Sequence, residues 1–151
     1  MTRSEAREIA MRLCFGISAT GRDADEVLAE MLDKEYYESL REEDELYEKY
    51  PEKKQIEYIS RLVKGIGQHS AEIDQYISKY SSGWAFHRIS RTALAIMKVA
   101  MYEIMYMTDI PDAAAINEAV ELAKKYEEPE TVPFVNGILG SFFRQEVSQI
   151  R

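Results

Sequence analysis

The sequence predicts an all-α protein, and three observations carry the prediction. Apolar side chains recur at steps of three and four along most of the chain, the periodicity of helices with one buried face. Only four prolines and seven glycines interrupt it, and the alanine, leucine, methionine, glutamate and lysine content favours helix throughout. The third observation is the stretch from Ile89 to Met107. There Ile89, Ala93, Ile96, Met97, Ala100, Ile104 and Met107 form a stripe whose flanks are filled by Leu94, Val99, Met101 and Met105. Arg91, Lys98 and Glu103 interrupt the stretch, and each charge at mid-membrane depth would cost about 2.5 to 3.5 kcal/mol. It therefore reads as the central core helix of one domain spanning 1–151, large enough to bury a sizeable core.

Thr2 and Glu5 have the spacing of a capping box, and Ile9, Leu13, Gly16 and Ile17 continue as an amphipathic helix to about Ala19. Arg3 and Arg7 are four apart and share a face, with Phe15 two turns further near the same side. On spacing alone that face reads as solvated. Thr20-Gly21-Arg22 breaks the helix, and Asp23 or Asp25 caps a short second one carrying Val27, Leu28, Met31 and Leu32. The acidic tract from 36 to 52 follows, with tyrosines and leucines among its charges that allow weak helix, and its composition predicts a mobile surface excursion.

Past Pro51, Ile56, Ile59, Leu62, Val63, Ile66, Ile73 and Ile77 keep helical spacing to Tyr80, as one bent helix or two consecutive ones broken near Gly65-Ile66-Gly67. The fragment GIGQHS lacks a preceding strand and the second half of a dinucleotide-binding fingerprint, so it is discounted. Ser81-Ser82-Gly83 reads as a turn, and Trp84 as a core plug at a helix junction. Asp109-Ile110-Pro111 ends the central helix and starts the next, with proline where its missing N–H costs nothing. Ile116, Ala119, Val120 and Ala123 supply that helix's buried stripe. After Glu127-Glu128-Pro129, a final helix carries Val132, Val135, Ile138, Leu139, Phe142 and Phe143. Asn136-Gly137 falls inside it at a propensity cost of about 1 kcal/mol, and a glycine tolerated there suggests close helix packing.

The formal charge of −8 is unevenly placed: residues 30–57 carry five basic and eleven acidic side chains, whereas 58–101 carry six and two. Nucleic acid would therefore be met through a local basic surface rather than the overall field. Cys14, the single cysteine, excludes an internal disulfide and reads as a small buried hydrophobe in a reducing, cytoplasmic setting. No secretory h-region follows Met1. Two histidines, His69 and His87, and one cysteine are too scattered for a zinc site or a nucleophile with its base, so no metal, cofactor or catalytic residue is expected.

The runs KVAMYEI from Lys98, DIP from Asp109, AINEAVELAK from Ala115 and FVNGIL from Phe134, with RxxARxxA from Arg3, Leu62-Val63-x-Gly65 and Ile73-Asp74, together resemble the NusB family of transcription antitermination factors. The resemblance implies a compact domain of about six or seven helices in two packed bundles, the first over about 1–80 and the second over about 84–151. It implies an RNA-binding protein that, with the small-subunit ribosomal protein NusE, recognises boxA-type RNA in ribosomal RNA leaders. The pair then joins other Nus factors and RNA polymerase to keep transcription processive. Position by position, the family's RNA contacts fall on Arg3, Arg7, Phe15, Tyr80 and Phe134. That chemistry suits single strands, since guanidinium groups engage phosphates and aromatic faces accept unstacked bases. The acidic-basic pair that many members carry early in the central helix is replaced here by Ala93-Leu94, which leaves the NusE contact to Ala93, Asp112 and Glu130. The alternative is a helical interaction module or homodimer that keeps the scaffold without specific RNA binding. A ribosomal RNA methyltransferase bearing a NusB-like portion is set aside because no methyl-donor domain follows.

Overall fold

The structure is a computed structural model that describes residues 1–148; the last three residues of the range expected for the C-terminal bundle, 149–151, lie outside it. Regular structure among the described residues is all helical, with eight α-helices against the six or seven expected. Two compact units divide at Gly67–Gln68, so the helix that ends at Tyr80 groups with the C-terminal helices. No helix among the described residues is long and apolar enough to cross a membrane, and none of their His, Cys, Asp and Glu side chains form a group that would hold a metal ion.

The first unit contains α1 (Arg3–Thr20), α2 (Ala24–Leu32), α3 (Lys34–Ser39) and α4 (Lys53–Gln68). The capping box forms as the spacing predicts: the Glu5 N–H donates to Thr2 Oγ1 at 3.1 Å and the Thr2 N–H to Glu5 Oε1 at 2.7 Å. Gly21, at φ 72°, ends α1 in the left-handed region where a β-carbon would be strained. Asp23 caps α2 by accepting from the Glu26 N–H. Ala6, Ile9, Ala10, Leu13 and Cys14 face inward from α1, and Ile59, Leu62, Val63 and Ile66 from α4.

The acidic tract is folded, contrary to its composition, and it supplies the additional helix. Tyr37 on α3 is fully buried, and Leu46 and Tyr47, on a short 3-10 turn, are buried as well. The Tyr47 and Tyr50 rings pack edge-on against Tyr37, with centroids 5.4 and 5.2 Å away. The Tyr37 hydroxyl donates to the Lys49 carbonyl at 2.9 Å, which satisfies the one polar group this ring brings inside. The glutamates are exposed while the aromatic residues between them form a small core, so the tract has an amphipathic fold that net charge conceals.

In the second unit α6 (Arg91–Tyr106) packs on α5 (Ser70–Tyr80), α7 (Asp112–Tyr126) and α8 (Thr131–Phe142), which continues into a π-type turn over Phe143–Val147. Ala93, Ile96, Met97, Val99, Ala100, Met101 and Ile104 are all buried, as the central-helix reading requires, and each fully buried Ile or Met contributes about 1.5 to 3 kcal/mol. Glu103 is fully buried and partnered. Lys98 reaches Asp74 Oδ1 at 3.0 Å, an ion pair without the alignment of a hydrogen bond, and ties α6 to α5. The long apolar stretch past Pro51 resolves into two helices broken at His69 rather than at the glycines. Gly137 lies inside α8 as expected, but it is exposed, and a β-carbon there would meet nothing within 4 Å. Close packing is therefore not the reason for that glycine.

Burial pushes the Tyr37 phenol up to about 12 from its ordinary 10.0. The folded chain thus holds this proton more tightly than the unfolded chain. The associated stability is fully present below pH 10 and is lost as pH rises toward about 12. Urea denaturation across that range is expected to show the unsubstituted protein losing stability relative to Tyr37→Phe; parallel profiles would contradict the burial.

Candidate RNA interface

Two groups of side chains, one in each unit, have the chemistry of single-strand recognition. In the first unit they sit at the start of α1, which the capping box and α4 hold in place. The Gln55 side-chain amide donates to the Met1 carbonyl, and its oxygen accepts from the Glu52 N–H at 2.8 Å, so the beginning of α4 is bonded to the beginning of the chain. Tyr58, one turn on, is buried with its ring under two guanidinium groups. The Arg3 Cζ stands 4.4 Å from the ring centroid and the Arg7 Cζ 5.9 Å.

The two arginines share a face, as spacing predicts, but differ in depth. Arg3 is exposed, whereas Arg7 is only 3% exposed. A cation held against an aromatic face keeps its outward N–H groups available for an anion while its orientation is fixed. That description fits Arg3; the guanidinium of Arg7 is an interior group that supports the same ring. Phe15, further along α1, is 38% exposed and is one of three exposed large hydrophobic side chains among the described residues.

Arg12 marks where this basic edge ends. Its Nη2 lies 2.6 Å from Asp44 Oδ2 and 3.3 Å from Glu8 Oε2, and its Nη1 is 3.4 Å from the Tyr47 hydroxyl. The acidic tract thus neutralises one arginine of α1. Exposed Lys53 and Lys54 begin α4 with positive charge.

In the second unit, Tyr80 ends α5 half-buried. Its hydroxyl donates to Glu146 Oε2, which also lies 2.6 Å from Lys79 Nζ. The bonds from Lys79 and then Tyr80 hold the Glu146 carboxyl below its ordinary value, and the tyrosine phenol is raised by desolvation and by that carboxylate. With its hydroxyl engaged and Lys79 Nζ 5.3 Å from its ring centroid, Tyr80 has the opposite face of its ring to offer. Phe134, in the first turns of α8, is half-buried against Trp84, with centroids 4.8 Å apart and planes inclined by 43°.

Trp84 departs furthest from expectation, since it is 45% exposed rather than a core plug. The residues expected at a protein partner are dispersed in character. Ala93 is 1% exposed and packs inside the unit; Asp112 is half-buried in the first turn of α7; Glu130 is exposed just before α8. A cleft of about 260 Å³ between α5, the end of α6 and the end of α8 is lined by Glu72, Tyr76, Tyr106, Phe142 and Glu146. Its two carboxylates repel phosphate, so it is a poor seat for a nucleic-acid backbone.

Sequence reasoning missed Tyr58 and misread Trp84. Tyr58 lies between Ile56 and Ile59 and looks like one more core position, and spacing does not reveal that its ring carries guanidinium groups. For Trp84 the preceding Ser-Ser-Gly turn was the available signal, because turns lie at surfaces.

Comparison with known proteins agrees with this architecture. A family model described as NusB family matches residues 4–144. The transcription antitermination protein NusB of Clostridium botulinum strain Kyoto is 38% identical over 141 residues, covering 93% of this chain and 98% of the relative. The protein of the same name from Symbiobacterium thermophilum is 39% identical over 144 residues, covering 95% and 90%. Among solved structures, T. maritima NusB superposes with a TM-score of 0.79 at 29% identity, covering 96% of this chain and 92% of that one.

The different depths of the two arginines make a direct prediction. Arg7→Ala removes a buried, packed side chain and is expected to lower folding stability by about 1 to 3 kcal/mol, whereas Arg3→Ala stays within about 0.5 kcal/mol. Urea denaturation of the two variants checks this, and equal losses would contradict the assignment.

Proposed function

The chain belongs to the NusB family of transcription antitermination proteins, and on that premise we propose that it binds boxA-type single-stranded RNA of ribosomal RNA leaders together with the ribosomal protein NusE. It acts by binding and orienting its partners, without turnover. Other Nus factors and RNA polymerase then complete the assembly, in the cytoplasm. The observation that carries this reading is the exposed Arg3 guanidinium held over the Tyr58 ring in a chain whose formal charge is −8.

Arg3 engages a phosphate, and the Tyr58 ring fixes its approach. Phe15 and the rings of Tyr80 and Phe134 accept unstacked bases, the standard division of labour in single-strand recognition. Arg7 supports the site from inside by holding the shared ring. Acidic surroundings suit such an arrangement, because they discourage non-specific binding to any polyanion and leave affinity to a few placed contacts. Asp112 and Glu130 are the carboxylates proposed for the ribosomal partner. Ala93, being buried, acts there through the position of α6 rather than by its own contact.

Filter binding to a boxA-type oligoribonucleotide is expected to show tighter and more sequence-selective binding when NusE is added. Arg3→Ala is expected to weaken binding and to reduce the slope of log K against log salt by about one, since one phosphate contact releases about one counterion. An RNA affinity indifferent to NusE would contradict the proposed partnership, and an unchanged salt slope would remove Arg3 from the interface.

A further inference from the structure

We propose that Trp84 is a base-stacking residue in its own right, forming with Phe134 and Arg88 a single-strand RNA subsite in the second unit; the proposal rests on the RNA-binding reading above. Trp84 is the most exposed large apolar side chain among the described residues, at 45%. Its position is built rather than incidental. The Trp84 N–H donates to the Ser81 carbonyl at 3.0 Å, closing a four-residue turn whose third residue, Gly83, has φ 81°. A positive φ at that position is what a type II turn requires. The buried Ser81 hydroxyl lies 3.0 Å from the Ser78 carbonyl and 3.3 Å from the Trp84 carbonyl, so the turn is bonded to the end of α5. Phe134 packs against the indole at 4.8 Å. An indole supported by another ring and open to solvent is the arrangement on which an unpaired base stacks.

Charge selects RNA as the occupant. From Gln75 to Tyr102 there is no aspartate or glutamate, while Lys79, Arg88, Arg91 and Lys98 are present, in a chain with 27 acidic and 19 basic side chains. Lys98 is occupied by Asp74 and Lys79 by Glu146. Arg88, four residues after the tryptophan on the 3-10 turn Phe86–Arg88, is exposed, and in the proposed subsite it meets the phosphate beside a stacked base.

Trp84 is the only tryptophan, so its fluorescence reports on this site alone. Titration of the free chain with a single-stranded oligoribonucleotide at low salt is expected to quench its emission in step with binding. Trp84→Ala and Trp84→Leu are expected to weaken binding about 5- to 100-fold, whereas Trp84→Phe, which keeps an aromatic face, stays within about 3-fold. Thermal melting confirms that each variant is folded, and Phe against Leu separates stacking from simple packing. Unchanged emission and affinity, while Arg3→Ala still weakens binding, would overturn this subsite and leave the RNA reading intact. Equal effects of Phe and Leu, or quenching by NusE and not by RNA, would also overturn it. If no oligoribonucleotide binds at all, both the subsite and the RNA reading fall.

Discussion

Burial of α6 is the interaction on which the second unit depends. Its side chains are inside on almost every face, and three helices pack around it. Because it cannot slide or rotate without exposing isoleucine and methionine, the position of its first turn is fixed. Ser90 caps that turn by accepting from the Ala93 N–H at 3.0 Å, and its hydroxyl also donates to Glu127 at the end of α7. The segment from Ser81 to Ser90 is therefore held at both ends, by the Ser81 bonds to α5 and by the cap of α6. The exposed tryptophan is a consequence of that anchorage, since a loose loop would let an indole collapse onto the apolar surface nearest to it.

The first unit solves a different problem, that of presenting cations from a chain rich in carboxylates. Arg12 is drawn into the acidic tract, and Arg7 is buried. Arg3 is kept out by its aromatic partner. The Tyr58 ring offers a guanidinium group a favourable surface that leaves its N–H fork directed outward, something a carboxylate partner would not do. The acidic tract thus has a constructive part to play. By folding around Tyr37, it places Asp44 at 2.6 Å from Arg12 and takes that arginine out of the basic edge of α1.

Much of this was legible in the sequence. The helix start at Thr2, a second start at Asp23 or Asp25 that the structure resolves to Asp23, the breaks at Gly21 and Pro129, and the buried central helix follow from caps, breakers and periodicity, which are local rules. Depth was not legible. Arg3 and Arg7 have identical spacing signals, yet Arg3 is exposed and Arg7 is 3% exposed, although both lie over the Tyr58 ring. The tract from 36 to 52 was misread because composition averages over its residues, whereas folding depends on where Tyr37, Leu46 and Tyr47 point. Gly137 shows the converse error: a glycine inside a helix suggested a close approach, and the space beside it is open. The site residues themselves came from family resemblance, since spacing alone reads the α1 arginines as an ordinary solvated face.

The central claim is that an acidic helical chain meets RNA through small, separately anchored groups in each unit. Backbone amide shift mapping of the isotopically labelled chain on addition of single-stranded RNA tests it directly. The account predicts perturbations over residues 2–15, 80–88 and around Phe134, with the acidic tract at 36–52 unmoved. Shifts centred on the acidic tract, or none at Arg3 and Trp84 at saturating RNA, would contradict it.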